Sequence, residues 1–184
     1  GIERGSTNIK AGLIGPDHEV LATGTHGWEN QFVDRLWTYS EEAIWAGLQA
    51  SFAALRADVK KRHNVELTKV GALGFSAMMH GYLAFDAAGK LLVPFRTWRN
   101  TNTERAAAEL TKTLGFNFPL RWSASHLYQA VIDNEPHVGD VAFFTTLSGF
   151  VHWRLTGRKV IGVGDASGMF PIDAATHDYD APML

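Results

Sequence analysis

The stretch that decides the fold is residues 1–14, GIERGSTNIKAGLI, at the start of the chain. An acidic residue ends a short apolar segment, small hydroxyl-bearing residues follow, and a cation, Lys10, lies on the next apolar segment. Backbone N–H groups of a tight Gly-Ser-Thr turn can converge on a phosphate oxygen, while hydroxyls and a lysine add donors and positive charge. The pattern predicts a phosphate-binding hairpin, although an ordinary turn between two strands has the same residues.

Composition restricts the class of protein. The 184 residues fit one domain, and 46% hydrophobic with 20% charged residues is ordinary for a globular protein. The formal net charge of −2 gives no electrostatic footprint for nucleic acid. The chain has no cysteine, which excludes disulfides and thiolate metal sites and fits the cytoplasm. Residues 70–85, the longest nearly charge-free segment, are too short and too broken to span a bilayer. We therefore expect no membrane partner, and from the net charge we expect no nucleic-acid partner.

Both ends of the sequence indicate a piece of a longer protein. There is no initiator methionine, and the first predicted strand is cut to residues 1–3. Residues 180–184 carry no helix cap or other terminating element. We therefore expect a truncated first strand and further sequence beyond Leu184.

Turn and capping residues divide the chain into alternating elements. Residues 8–14 and 20–25 are predicted strands, and Ser40 is predicted to cap a helix that Asn64 closes. The order of all elements predicts one mixed α/β domain with helices packed on a sheet. The other predicted elements are a buried strand at 70–75, a strand at 82–85, a helix opened by a capping box of Thr101 and Glu104 and stopped by Gly115, a helix from Ser123 to Asn134, a strand at 141–144 and a helix ended by Gly157.

A second motif, residues 74–81 with the sequence GFSAMMHG, follows the predicted buried strand. A turn that carries His80 between glycines suits the recognition of a sugar hydroxyl, because imidazole both donates and accepts hydrogen bonds. The alternative is a satisfied histidine in a β-turn, with Met78 and Met79 filling the core. No two histidines lie within four positions of each other, so the sequence offers no local chelating pair.

Two further motifs follow in the second half of the chain. Residues 94–102, PFRTWRNTN, place Trp98 beside hydrogen-bonding side chains, which suits a carbohydrate site; ordinary capping with a core tryptophan is the alternative. Residues 155–159 and 164–168, LTGRK and GDASG, are typical of a helix C-cap and a self-bonded turn. A direct ligand contact by Asp165 is the other interpretation of the last motif.

These four motifs, in this order, resemble the amino-terminal domain of the FGGY family of carbohydrate kinases, in its xylulokinase-like branch. The resemblance covers residues 1–184. It implies an α/β fold of the ribonuclease H-like type (actin/hexokinase/Hsp70-like) with a mixed sheet, as one half of a two-domain kinase. In the family, ATP and sugar bind in the cleft between the two domains, and a homodimer is compatible with the resemblance.

The resemblance also assigns roles to residues of this chain. Met79 and His80 match a sugar-contacting pair, where the glycerol kinase branch carries Arg-Glu, and this favours a ketopentose such as xylulose. No catalytic residue is expected in this part of the chain, because the family's catalytic Asp and carboxy-terminal ATP-binding domain would lie beyond Leu184. The implied ligand-binding residues are Gly5, Ser6, Thr7, Asn8 and Lys10 for the phosphates of ATP, Glu3 for Mg²⁺, and Met79, His80, Trp98 and Asn100 for the sugar.

The chain departs from the family pattern at several of these positions. Glu3 replaces Asp and is one methylene longer, and Met78 replaces Gln and removes a polar contact. Asn100 and Asn102 stand where Asp and Arg are usual, so a charged pair near the sugar becomes two neutral amides. These changes leave the particular sugar open.

The resemblance implies an enzyme that transfers the γ-phosphoryl group of Mg-ATP to a sugar hydroxyl, and we expect the 184-residue piece alone to be inactive. Two alternatives remain open. One is a non-catalytic sugar- or nucleotide-sensing protein on the same scaffold. The other is an actin- or Hsp70-like ATPase, against which the His80 and Trp98 motifs argue.

Overall fold

The chain consists of two structural units. The computed structural model describes residues 1–184, and contacts within the chain divide it into two units. Unit 1 comprises residues 1–31 and 39–78, and unit 2 comprises residues 32–38 and 79–184.

Five strands precede the first helix, two more than the sequence predicts, and helices and strands then follow in mixed order. No helix has both the length and the apolar character that crossing a bilayer requires. In chain order the elements are β1 (Ile2–Arg4), β2 (Asn8–Ile14), β3 (Val20–Gly27), β4 (Gln31–Val33), β5 (Leu36–Thr38), α1 (Glu41–His63), β6 (Phe75–Ala77), β7 (Leu83–Phe85), α2 (Glu104–Leu114), α3 (Ser123–Ile132), β8 (Phe143–Thr145), α4 (Leu147–Thr156), α5 (Val163–Ala166), β9 (Ile172–Asp173) and β10 (Asp178–Tyr179), with 3₁₀ turns at Pro136–Asp140 and Ala181–Met183.

The sheet of unit 1 has the strand order β3-β2-β1-β6. β1 pairs antiparallel with β2 and parallel with β6, so the sheet is mixed and the predicted α/β class is confirmed. Helix α1 begins after Ser40, whose side chain accepts the N–H of Ala43 at 3.1 Å, and ends at Asn64, which adopts a φ of 54°. The caps and the strands at 8–14 and 20–25 are therefore confirmed.

Helix α1 packs against the sheet at very short range. The buried residues of the helix recur every three or four positions, which gives it one buried stripe that includes the small residues Gly47 and Ser51. On β3, a Cβ added to Gly24 would collide with the backbone of Ser51 and Leu55 in α1. The absence of a side chain at Gly24 is therefore what allows the helix to approach the sheet.

Unit 2 has an aromatic core around a two-stranded antiparallel sheet. β7 pairs with β8, with Phe85 opposite Phe143, and every residue of β7 is buried. The ring of Phe85 stacks on Phe150 at 5.5 Å between centroids and meets Trp153 edge-on at 5.1 Å. This burial of large rings supplies much of the hydrophobic stabilisation of unit 2.

A polar group is buried beside this core. Arg96 forms a two-point ion pair with Glu135, and the hydroxyl of Tyr82 lies 3.1 Å from Nε2 of His137. His126 is fully buried, and neither of its ring nitrogens has a hydrogen-bond partner. Burial, and then the charge of Arg96, lower the pKa of His126 to about 3.

Several predicted elements differ from the structure. The predicted buried strand at 70–75 is wrong: residues 70–74 form a loop, and Leu73 is 48% exposed. In the ladder, Phe75–Ala77 pairs with Ile2–Arg4 of β1. The apolar residues at 70–74 lie outside this pairing.

The capping box at Thr101 is also wrong. Helix α2 begins at Glu104 after Thr103, whose hydroxyl donates to the carbonyl of Leu120 instead of capping the helix. Ser123 is the first residue of α3 and donates its hydroxyl to the carbonyl of Gly81. Helix α3 ends at Ile132, two residues earlier than predicted, and the strand predicted at 141–144 lies at Phe143–Thr145.

We expect Gly24→Ala to lower the free energy of unfolding by about 1–3 kcal/mol, because the added methyl forces α1 away from β3. Gly12→Ala in β2 is the matched control, since a Cβ at Gly12 meets nothing within 4 Å. Urea denaturation followed by circular dichroism measures both. Equal stability of the two variants would show that the close approach at Gly24 is not required.

We expect the free energy of unfolding to decrease as the pH falls from 6.5 toward 3. In this window the unfolded chain binds a proton at His126 that the folded chain excludes, because the folded pKa is about 3 and the ordinary value is 6.5. Urea titrations at several pH values should give a flatter pH dependence for His126→Phe than for the unaltered protein. An unchanged slope would contradict this assignment.

Candidate functional site

The turn between β1 and β2 closes tightly. The N–H of Gly5 donates to the carbonyl oxygen of Asn8 at 2.9 Å, which brackets Ser6 and Thr7 at the tip. Ser6 is half-buried and Thr7 is exposed. Four of the five predicted phosphate-binding residues, Gly5 to Asn8, therefore form one continuous turn in unit 1, and Lys10 lies two residues further along in β2.

The carbonyl oxygens of this turn are all held by groups of unit 1. The indole Nε1–H of Trp28 donates to the carbonyl of Gly5 at 2.9 Å, and its backbone N–H donates to the carbonyl of Thr7 at 3.1 Å. The hydroxyl of Tyr39 donates to the carbonyl of Ser6 at 2.8 Å. Three consecutive C=O groups are thus satisfied from within the protein.

The backbone N–H groups at the tip of the turn have no hydrogen-bond partner in the protein. In a trans peptide the C=O of one residue and the N–H of the next point in opposite directions, so holding the carbonyls of Gly5 and Ser6 turns the N–H groups of Ser6 and Thr7 away from them. Neither N–H has an acceptor in the protein. Two adjacent free backbone donors suit an anion such as a phosphate oxygen.

Glu3 and Lys10 lie on the exposed face of the same sheet. Glu3 in β1 is directly opposite Lys10 in β2 and Ser76 in β6, and all three are exposed. Nowhere in the chain do three or more metal-binding side chains cluster. Since Mg²⁺ is commonly held by one or two carboxylates together with substrate phosphates, Glu3 fits a single ligand to a nucleotide-borne ion.

His80 lies in unit 2, in a left-handed turn with a φ of 70° that continues into Gly81 at 87°. Its Nδ1 is 3.0 Å from the carbonyl oxygen of Gly168. Because a carbonyl only accepts, Nδ1 carries the proton, and Nε2 of the neutral ring is left as an acceptor. A sugar hydroxyl is a suitable donor to such a nitrogen.

The surroundings of His80 keep its ring neutral. Burial lowers the pKa of His80 below its ordinary value of 6.5, and the charge of Arg121 acts in the same direction, against the opposing effects of the hydrogen bond to Gly168 and the charge of Asp165. The sequence did not identify Gly168, 88 residues away. A Cβ at Gly168 would lie 2.7 Å from Nδ1 of His80 and 2.9 Å from Cε of Met79.

Trp98 lines an open cavity of about 410 Å³ in unit 2, within the roughly 300–1,000 Å³ typical of small-molecule sites. The ring of Trp98 is 38% exposed, and Met79 is 37% exposed. The guanidinium group of Arg99 lies over Trp37 at 5.1 Å and over Trp98 at 5.7 Å from the ring centroids. The cavity is lined by Trp37, Trp98, Arg99, Thr101, Pro119, Leu120 and Arg121.

Asn100 stabilises the wall of this cavity. The side chain is buried, and its Oδ1 accepts the N–H of Trp37 at 2.9 Å. Its Nδ2 donates to the carbonyls of Trp37 at 2.8 Å and Thr97 at 3.0 Å. With the amide fully used by the backbone, Asn100 positions the segment that carries Trp98, and its direct contact with a sugar stays a prediction.

Asp165 has a structural role. Its carboxylate accepts hydrogen bonds from the hydroxyls of Thr146 and Ser148 at the start of α4, and Ser167 donates its hydroxyl to the carbonyl of Gly164 at 2.8 Å.

A larger cavity of about 800 Å³, beside Phe143 and Phe144, is lined almost entirely by apolar side chains. It lacks the convergent polar groups that a sugar requires.

We expect the His80 ring to be neutral and protonated on Nδ1 at pH 7, and to titrate below 6.5 because burial disfavours its charged form. Long-range ¹H–¹⁵N NMR of labelled histidine reports both the tautomer and the pKa. Gly168→Ala should shift the tautomer, whereas Gly164→Ala, where a Cβ meets nothing within 4 Å, should not. A ring charged at pH 7, or protonated on Nε2, would overturn this assignment.

Comparison with known proteins identifies the family of the chain. Residues 1–184 match the family described as "FGGY family of carbohydrate kinases, N-terminal domain". The chain is 26% identical to xylulose kinase of Escherichia coli, with 100% of the chain and 38% of the relative covered, and 23% identical to glycerol kinase of Thermococcus gammatolerans, with 100% and 39% covered. It therefore spans about two fifths of the length of the curated relatives it matches.

Solved structures share the fold. The xylulose kinase of Rhodospirillum rubrum superposes with a TM-score of 0.82 at 19% identity, with 100% of this chain and 39% of that chain covered. The gluconate kinase of Lactobacillus acidophilus superposes with a TM-score of 0.81 at 18% identity, with 100% and 38% covered. The mixed-sheet α/β fold expected from the resemblance, that of actin and hexokinase, is confirmed. The chain belongs to the FGGY family of carbohydrate kinases.

Proposed function

We propose that the protein phosphorylates a sugar hydroxyl with ATP, and that the acceptor is a ketopentose such as xylulose. The observation that carries the proposal is the Gly5–Asn8 turn, whose carbonyls are held inward while the N–H groups of Ser6 and Thr7 stay free. Such a turn binds and orients a phosphate without any covalent chemistry, which is what phosphoryl transfer asks of a protein.

The phosphate-binding residues of the proposal are Gly5, Ser6, Thr7, Asn8 and Lys10, all in unit 1. Lys10 is exposed and forms no ion pair with Glu3, so its charge is available to an anion. Glu3 would hold Mg²⁺, which, when bound, neutralises charge that develops on the transferred phosphoryl group. The chain's own residues bind and orient the phosphates, and we assign none of them as the base.

The sugar-binding residues of the proposal lie in unit 2. Nε2 of His80 accepts a hydrogen bond from a sugar hydroxyl, Met79 supplies apolar contact, and Trp98, which is partly exposed, covers the C–H surface of the sugar. Asn100 acts by holding the Trp98 segment. The Met79–His80 pair and the relatives named xylulose kinase support a ketopentose, while the relatives named glycerol kinase and rhamnulokinase define the competing acceptors.

The test is an ADP-release assay on the full-length polypeptide with xylulose, rhamnulose, glycerol and aldoses as acceptors. We expect xylulose to give the highest kcat/KM, because Met79 and His80 stand where the glycerol kinase branch carries Arg-Glu and match the sugar-contacting pair of the xylulokinase-like branch. His80→Asn should raise the KM for the sugar about tenfold or more, since it removes one hydrogen bond to a reacting ligand.

His177→Asn is the matched control. His177 is exposed and has a φ of 56°, close to the 70° of His80, and asparagine tolerates this conformation at both positions. This variant should keep the KM of the unaltered protein. If ATP binds but no acceptor is phosphorylated, the protein is a sensor and the proposal fails; ATP hydrolysis indifferent to sugars would point to an ATPase instead.

A further inference from the structure

Two aromatic residues hold the backbone carbonyls of the Gly5–Asn8 turn through hydrogen bonds. Trp28 and Tyr39, which hold the three turn carbonyls, stack on each other with their centroids 3.9 Å apart and an interplanar angle of 15°. Stacking fixes both rings, and therefore fixes the indole N–H and the phenol hydroxyl that donate to Gly5 and Ser6. The conformation of the turn therefore depends on these two stacked side chains as well as on its own residues.

A buried cation, Arg4, packs against Trp28, one of these two rings. Arg4, the residue immediately before Gly5, is 1% exposed, and its guanidinium lies 4.8 Å from the ring centroid of Trp28. One nitrogen, Nη2, donates to the carbonyl of Ile44. Nε and Nη1 have no partner, and no carboxylate forms an ion pair with Arg4.

Such an arrangement needs an explanation, because a buried charge without a counter-ion costs free energy of folding. Burial lowers the pKa of Arg4 to about 10, so the group is still charged at pH 7. A methionine at this position would fill similar volume without the cost. The uncompensated charge belongs to the residue that immediately precedes the turn, and its guanidinium lies over Trp28, the ring whose indole N–H holds the carbonyl of Gly5.

We propose that three residues, Arg4, Trp28 and Tyr39, position the polyphosphate of a nucleoside triphosphate. We call them the Arg4–Trp28–Tyr39 stack. Trp28 and Tyr39 hold the carbonyls of the turn away from the anion, and the charge of Arg4 raises the electrostatic potential at the N–H groups of Ser6 and Thr7. The inference rests on the proposed function, because it assigns the turn to phosphate.

The competing explanation is that the stack only packs the core. In that case its loss would lower stability and would affect ATP and sugar alike. A role at the phosphates instead changes the affinity for ATP selectively and makes it less sensitive to salt, because one attractive charge is gone.

The experiment measures the KM values for ATP and for the sugar, and the Kd for ATP by calorimetry, on the full-length protein. Arg4→Met should weaken ATP binding about tenfold, and Tyr39→Phe about three- to tenfold, as expected for the loss of a charge effect and of one hydrogen bond. The KM for the sugar should stay within about twofold in every variant.

Arg62→Met is the matched control, since Arg62 is an exposed cation in the last turn of α1 and pairs with Asp58. It should leave the affinity for ATP unchanged. Between low and high potassium chloride, the Kd for ATP should rise more steeply for the unaltered protein than for Arg4→Met.

The outcomes separate the two proposals. If sugars are phosphorylated while folded Arg4→Met and Tyr39→Phe keep their affinity for ATP, or lose affinity for ATP and sugar equally, the stack is only structural and the inference fails. If no sugar is phosphorylated, the proposed function fails, and the Kd values for ATP decide the inference alone. Should Arg4→Met not fold, Tyr39→Phe decides, because it removes one hydroxyl and no ring.

Discussion

The direction of three backbone carbonyls is the constraint on which the Gly5–Asn8 turn depends. Trp28 and Tyr39 donate hydrogen bonds to the carbonyls of Gly5, Ser6 and Thr7, and the planar peptide then aims the N–H groups of Ser6 and Thr7 the other way. Free backbone donors attract phosphate through geometry and partial charge, without a titratable group. The exposed Lys10 and the buried Arg4 would add charge to a site whose shape is already determined.

A backbone carbonyl also sets the chemistry of His80. The carbonyl of Gly168 fixes the proton on Nδ1, and burial keeps the ring neutral, so Nε2 remains an acceptor at pH 7. Glycine at 168 is required by the same contact, because a Cβ would lie 2.7 Å from the ring. In each unit a hydrogen bond to main-chain oxygen therefore decides which atom is left for a ligand.

Local signals predicted the fold better than they predicted the site. The caps Ser40 and Asn64 act within a few residues, and both were found where the sequence placed them. The strand predicted at 70–75 was wrong because apolar composition alone does not show which residues find a pairing partner, and only Phe75–Ala77 pairs with β1. Trp28, Tyr39 and Gly168 escaped detection because they act on residues 23, 33 and 88 positions away. Arg4 was missed although the alternation of a strand places it on the same face as the buried Ile2.

A crystal structure of the full-length protein with Mg²⁺ and a non-hydrolysable ATP analogue tests the central claim most directly. We expect phosphate oxygens within about 3.2 Å of the backbone nitrogens of Ser6 and Thr7, with the hydrogen bonds from Trp28 and Tyr39 intact. A triphosphate bound elsewhere, with both N–H groups still facing water, would contradict the assignment of this turn to the nucleotide.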